Sequence, residues 1–213
     1  MGGRWQAELR KVCGVTRSVD AVHAVGAGAN AIGLIFHPPS PRSVSLGRAR
    51  QVASRVPDHV RRVGVFVRER PESIAAAIHR ARINVVQLHG GESSEECEAV
   101  RRKVGDGVEI WKAVPVGPGF DGSALSEYRV DAFLLDTAKK GAYGGTGEAF
   151  PWHLALLAKP FGRIVLAGGL DADNVAEAVR AVRPWGVDSS SRLEERPGIK
   201  DPTKVYRYLD ALR

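Results

Sequence analysis

Several positions combine a reactive or anion-binding residue type with a place just behind an apolar run. Cys13 stands in KVCGVT, Arg42 in HPPSPRSVS, His89 in VQLHG, Asp136 in DAFLLDT, Gly168 and Gly169 in AGGLDADNV, and Ser190 and Ser191 in VDSSSRLEE. A thiol turned into an electropositive cavity can accept a proton or act as a nucleophile, because such surroundings bring its pKa toward neutrality; turned elsewhere it is a small buried hydrophobe. A carboxyl group behind AFLL faces either a backbone cap or a reacting group. TAKKGAYGGTG, directly after Asp136, is glycine-rich and lacks apolar periodicity, so it reads as a mobile loop able to fold over a ligand. Beneath such a cover the carboxyl loses water and can serve as a general acid.

The other positions point to an anion. Paired glycines at a strand end, followed by a helix that starts near Asp173, expose backbone N–H groups at close approach, the arrangement that binds phosphate. The loop holding Ser190 and Ser191 adds hydroxyl donors; the competing reading of both loops is a tight turn that needs glycine. Arg42 lies in a proline-stiffened loop, where a guanidinium either pairs bidentately with a carboxylate or is simply solvated. The histidines show neither H-x-x-x-H nor H-E-x-x-H spacing, so no metal site is expected, and without a Walker sequence or a G-x-G-x-x-G turn no nucleotide cofactor is expected either. Cys97, inside SSEECEAVRR, reads as packing.

These positions need a frame. KVCGV, ANAIGLIF, HVRRVGVFV, NVVQLHG, VEIWKAVPV, DAFLLDT, RIVLAGG and WGVDSSS are short apolar, β-branched runs, with helix-like segments between them. Ile74, Ala77, Ile78 and Ala81 follow the one-face helical spacing, as do Val175, Ala178, Val179 and Val182, and again Val205, Tyr208, Leu209 and Leu212. Strands buried on both sides and joined by helices are parallel with right-handed crossovers. The alternation predicts an α/β protein in which residues 1–213 form one (β/α)8 barrel domain, with a doubly wound open sheet as the rival. A barrel does its chemistry at the carboxyl ends of its strands, and the ends of these runs collect the residues above together with His37 and Lys112.

Composition narrows the partners. The chain has 213 residues and a net charge of +7, but its Lys and Arg are interleaved with Asp and Glu, so a small phosphorylated substrate is expected rather than nucleic acid. Two distant cysteines form no disulfide framework and fit a reducing cytoplasm. No stretch approaches the roughly 18 apolar residues of a membrane span. The helix faces are compatible with a monomer or a homodimer.

Taken in order from Lys11 to Asp201, KVCGVT, GLIFHPPSPRSVS, VQLHGGE, LLDT, YGGTGEAFPW, VLAGGLDADNV and VDSSSRLEERPGIKD resemble the phosphoribosylanthranilate isomerases of tryptophan biosynthesis. The resemblance implies an aldose–ketose isomerase that needs no cofactor. It would convert N-(5-phosphoribosyl)anthranilate to 1-(o-carboxyphenylamino)-1-deoxyribulose 5-phosphate. It makes Asp136 the general acid at the furanose ring oxygen and Cys13 the general base at C2. By the same implication Arg42 holds the anthranilate side, His89 touches substrate, and Gly168, Gly169, Ser190 and Ser191 grip the phosphate. Two positions depart from the pattern: Gly91 stands where an acidic residue often follows QLHG, and Arg192 stands where glycine usually follows Ser-Ser. If the latter position needs φ > 0, arginine strains the loop by about 1 kcal/mol or more; alternatively its guanidinium adds a phosphate contact. A related barrel isomerase of histidine biosynthesis carries an aspartate at the first strand, and Cys13 argues against it. A basic barrel that binds without chemistry would be indifferent to Cys13 and Asp136.

Overall fold

The computed structural model describes residues 6–138 and 150–213. Eight strands, β1 (Leu9–Val12), β2 (Ala31–Ile35), β3 (Arg61–Phe66), β4 (Val85–Leu88), β5 (Glu109–Val116), β6 (Ala132–Thr137), β7 (Ile164–Leu166) and β8 (Gly186–Ser189), pair in parallel and close into a barrel as β8 returns to β1. Around them lie α1 (Ser18–Ala27), α2 (Leu46–Ala53), α3 (Pro71–Ala81), α4 (Ser94–Val104), α5 (Val175–Val182) and α6 (Pro202–Asp210). The barrel reading therefore holds against the open sheet. A two-stranded hairpin, β9 (Glu194–Arg196) and β10 (Ile199–Lys200), follows β8.

Strand alternation sorts the side chains. Leu9, Cys13, Ala31, Val63, Val65, Val85, Trp111, Ala113, Leu134 and Val165 fill the barrel interior, while Val12, Ile32, Leu34, Phe133, Leu135 and Leu166 point outward to the helices. The helical stripes behave as their spacing predicts: Ile74, Ala77 and Ala81 are buried in α3, Val175, Ala178, Val179 and Val182 in α5, and Val205, Tyr208 and Leu209 in α6. Pro71 opens α3, where its missing N–H costs nothing, and Ser93 with Glu96 forms a reciprocal cap on α4.

Where helices were expected after β5 and β6, the chain instead makes 3-10 turns at Ser123–Glu127 and Trp152–Phe161, the second with Pro160 inside it. The helix expected near Asp173 starts at Val175. Asn174 does not cap it: its amide donates to the Gly169 carbonyl and its oxygen accepts from the Asp171 N–H, both folding back toward the glycine loop.

The amino-terminal end of the barrel is plugged. Trp185 packs edge-on to Trp111 with centroids 5.8 Å apart, and the guanidinium groups of Arg61 and Arg163 sit 5.5 and 5.1 Å from its ring centroid. Each such contact contributes about 0.5–1 kcal/mol at an exposed rim. The glycine-rich stretch expected to cover the ligand falls outside the described residues from Lys139 onward. Among the described residues, no helix is long and apolar enough to cross a membrane.

Candidate active site

Interior parity carries polar groups up to the carboxyl ends of the strands. Lys11 and Cys13 rise from β1, Gln87 and His89 from β4, Asp136 from β6 and Asp188 from β8. The Cys13 sulfur faces inward over β2, where a Cβ on Gly33 would come within 2.6 Å of it. That strand must present glycine if the thiol is to occupy the cavity. The backbone of Cys13 is pinned to β8: its N–H donates to the Ser189 carbonyl at 2.9 Å, and its carbonyl accepts from the Ser190 hydroxyl at 3.1 Å.

Beneath the thiol, Lys11 and Asp188 form a buried ion pair, Nζ to Oδ2 2.9 Å, with the Lys11 side chain fully enclosed. Burial alone would push the Lys11 ammonium down, but Asp188 and the Cys13 thiol outweigh it and hold Lys11 above its ordinary value. The sequence expectation that the thiol would sit near neutrality is corrected here. Burial pushes Cys13 above its ordinary value; the Lys11 cation pulls it down and Asp188 pushes it up again. The second oxygen of Asp188 is buried and has no hydrogen-bond partner among the described residues. Lys11 and Asp188 went unnoticed in the sequence, although a lysine two residues before Cys13 on a strand must share its face.

Asp136 accepts from its neighbour, the Thr137 N–H, at 2.8 Å through Oδ1, and Oδ2 lies 3.6 Å from His89 Nε2. On its other nitrogen His89 meets the Gln87 amide at 2.9 Å. With that amide donating, the imidazole proton belongs on Nε2, facing Asp136. Gly168 lies against the same group: at φ +83°, a Cβ there would come within 3.0 Å of the Thr137 nitrogen and 3.2 Å of Asp136 Oδ1. Asp188 has Lys11, Asp136 and His89 among its electrostatic neighbours, so these groups lie near one another at the carboxyl end of the barrel.

The anion loops are stitched together, though not as expected throughout. Gly168 and Gly169 both have positive φ, at +83° and +65°, as a glycine pair permits. Ser189 donates to the Leu170 carbonyl, joining the loop after β7 to that after β8. The Ser190 hydroxyl, expected to face the anion, donates to Cys13 instead. Ser191 opens a 3-10 turn and, with Asp171, Arg192, Lys204 and Arg207, lines a cleft of about 320 Å³. Arg192 is not among the residues with positive φ, which apart from glycine are Arg68, Arg82 and Arg183. The strain expected of an arginine at this position is therefore absent, because the loop here turns in the right-handed sense. Its Nε lies 3.9 Å from Asp171.

Arg42 is not solvated. Its Nε and Nη2 meet the Glu194 carboxylate at 2.9 and 2.8 Å, a partner the sequence did not reveal. Lys112 turns away from the cavity, since Trp111 and Ala113 on either side point in. It pairs at 2.8 Å with Glu92, which also accepts from the backbone N–H groups of Arg68 and Gly90. Gly91 takes φ +74°, which suits glycine better than the acidic residue common there. Cys97 packs outside the barrel, its thiol pushed up by burial to about 11. Among the described residues no cluster of His, Cys, Asp and Glu could hold a metal ion.

Comparison with known proteins agrees along most of the chain. A family model described as N-(5'phosphoribosyl)anthranilate (PRA) isomerase matches residues 10–211. The N-(5'-phosphoribosyl)anthranilate isomerase of Geotalea uraniireducens (strain Rf4) is 43% identical over 199 residues, spanning 93% of this chain and 95% of its own. A crystal structure of monomers generated from the dimeric phosphoribosylanthranilate isomerase of Thermotoga maritima superposes with a TM-score of 0.84 at 36% identity, covering 96% of this chain and 97% of that one. A phosphoribosyl anthranilate isomerase in complex with reduced 1-(o-carboxyphenylamino)-1-deoxyribulose 5-phosphate gives a TM-score of 0.83 at 36% identity, covering 96% and 97%.

Proposed function

The chain belongs to the N-(5'-phosphoribosyl)anthranilate isomerase family, and on that premise we propose that its barrel mouth performs the Amadori rearrangement with Asp136 as acid and Cys13 as base. Asp136 gives its proton to the furanose ring oxygen as the bond from C1 to that oxygen breaks, leaving a protonated Schiff base between C1 and nitrogen. The Cys13 thiolate takes the C2 proton, and the electron pair moves into the C1–C2 bond and neutralises the nitrogen. The resulting enolamine tautomerises to the 2-ketone. No atom is gained or lost overall, and proton transfers suffice without a cofactor.

The observation that supports this reading is that a thiol after β1 and a carboxyl on β6, three strands apart around the ring, both stand at the carboxyl end of the barrel, with Lys11 beside the thiol opposing the effect of its burial. Arg42 would hold the substrate carboxylate, His89 would touch substrate beside Asp136, and Gly168, Gly169 and Ser191 would supply donors to the phosphate, with Ser190 fixing the backbone of the base. We read residues 1–213 as one barrel domain acting in the cytoplasm on a soluble phosphorylated substrate, as a monomer or homodimer that sedimentation distinguishes.

The test is the loss of anthranilate-adduct fluorescence on adding enzyme. Cys13→Ala and Asp136→Asn should each slow turnover by about 10² to 10⁴, the usual range for a positioned acid or base. A Cys13→Ala variant as fast as the parent would sink the mechanism. Turnover of the histidine-pathway phosphoribosyl substrate would demand the alternative isomerase reading, which Cys13 at the first strand opposes.

A further inference from the structure

Glu194 joins parts of the chain that the proposed reaction uses separately. Its carboxylate accepts from Arg42 Nε at 2.9 Å and Nη2 at 2.8 Å, from Lys200 Nζ at 2.9 Å and from the Gly198 N–H at 3.3 Å. The side chains are enclosed, with Arg42, Glu194 and Lys200 exposing 14%, 4% and 1% of their surface. Lys200 also donates to the Ser190 carbonyl at 3.0 Å, tying the group to the loop after β8.

The approach is tight enough to fix where Arg42 runs. A Cβ on Gly14 would come within 2.7 Å of Arg42 Cδ and 2.9 Å of the Ser190 hydroxyl, and one on Gly198 within 3.3 Å of the Pro41 carbonyl. The stem of Arg42 therefore crosses the backbone immediately after Cys13. A guanidinium has two edges that can grip a carboxylate. Glu194 takes the edge made by Nε and Nη2, so the edge containing Nη1 has no partner among the described residues. Two cations against one carboxylate leave one net positive charge in the group. Burial works against the charge on Glu194, but Arg42 and Lys200 outweigh it and hold the carboxyl below its ordinary value.

We propose that Glu194, anchored by Lys200, is a positioning residue that presents the remaining edge of Arg42 to the substrate carboxylate and couples that end of the substrate to the loop after β8. This rests on the reading of Arg42 given under the proposed function. An arginine held in one orientation before the ligand arrives loses less freedom on binding, so the effect belongs in affinity for the carboxylate. Deleting the hydrogen-bonded charge partner typically weakens such recognition by about tenfold or more.

The experiment is calorimetric titration of the full chain with two probes, reduced 1-(o-carboxyphenylamino)-1-deoxyribulose 5-phosphate and the same compound without its ring carboxylate. The ratio of the two affinities reports carboxylate recognition alone. Arg42→Ala should collapse the ratio toward one; if it does not, the reading of Arg42 fails, and the proposal with it. Given that collapse, Glu194→Gln should lower the ratio about tenfold while the carboxylate-free probe binds as before, and KM should rise more than kcat falls. An unchanged ratio, or equal weakening of both probes, would overturn the proposal and leave Glu194 a purely structural residue. Should Glu194→Gln fail to fold, Lys200→Gln, which keeps Glu194 but frees it from its anchor, must lower the ratio in the same direction, and no change there overturns the proposal equally.

Discussion

Lys11 and Asp188 face each other in register across the seam where β8 closes onto β1, and their 2.9 Å contact lies directly under the Cys13 thiol. Barrel closure thus brings together an ion pair separated by 177 positions in the chain and sets it against the proposed base. Removing one member of such a buried pair strands the other, whereas the intact pair gives the thiol a cation in an otherwise poorly hydrated place.

Asp188→Asn should move the rising limb of kcat against pH to lower pH. Asp188 pushes the thiol up, so neutralising it lets Cys13 ionise more readily while Lys11 remains. The same change leaves the Lys11 charge buried without its counter-ion and should cost about 3 kcal/mol of stability, seen in thermal melts. A limb that stays in place would dissociate it from Cys13.

Gly168→Ala should slow turnover and lower the melting temperature together. Its φ of +83° disfavours any side chain by about 1–3 kcal/mol, and the new methyl would press on Thr137 and on Asp136 Oδ1. Preserved activity at reduced stability would separate the loop strain from the acid.

Arg192→Gly should not raise the melting temperature. With Arg192 outside the positive-φ set, glycine relieves no strain here and adds unfolded-state entropy, a loss of about 0.5–1 kcal/mol. A more stable glycine variant would show that arginine strains the turn after all.

Stability should fall as the pH drops below the ordinary carboxylate range. Glu92 is held below its usual value because Lys112 and the backbone donors outweigh its burial. As the pH falls, the unfolded chain takes up this proton before the folded one does. The stabilisation is therefore complete above the unfolded value and disappears once the pH falls through the lower, folded value. Glu92→Gln should be less stable at neutral pH yet show a shallower acid transition in denaturant titrations.

Much of this was legible beforehand because strands and helices announce themselves by period. Ile74, Ala77 and Ala81 needed only their spacing, and the apolar runs before Cys13 and Asp136 were enough to set both at strand ends. The buried charges were not legible. Glu194, Lys200 and Asp188 look like surface residues in a polar stretch, and only three-dimensional closure shows that each has its counter-charge. The partner of the Ser190 hydroxyl is equally invisible in the sequence, because the Cys13 carbonyl that accepts from it lies 177 positions away. At Arg192 the backbone angle, which the sequence does not display, decides whether a side chain is strained.

Among the described residues, Trp185 between Arg61 and Arg163 closes the amino-terminal end of the barrel, so substrate and product share the mouth at the carboxyl ends of the strands. Whatever enters to be isomerised must leave by the way it came, so the product obstructs the next arrival until it departs. Inhibition by accumulated product should therefore be competitive with substrate.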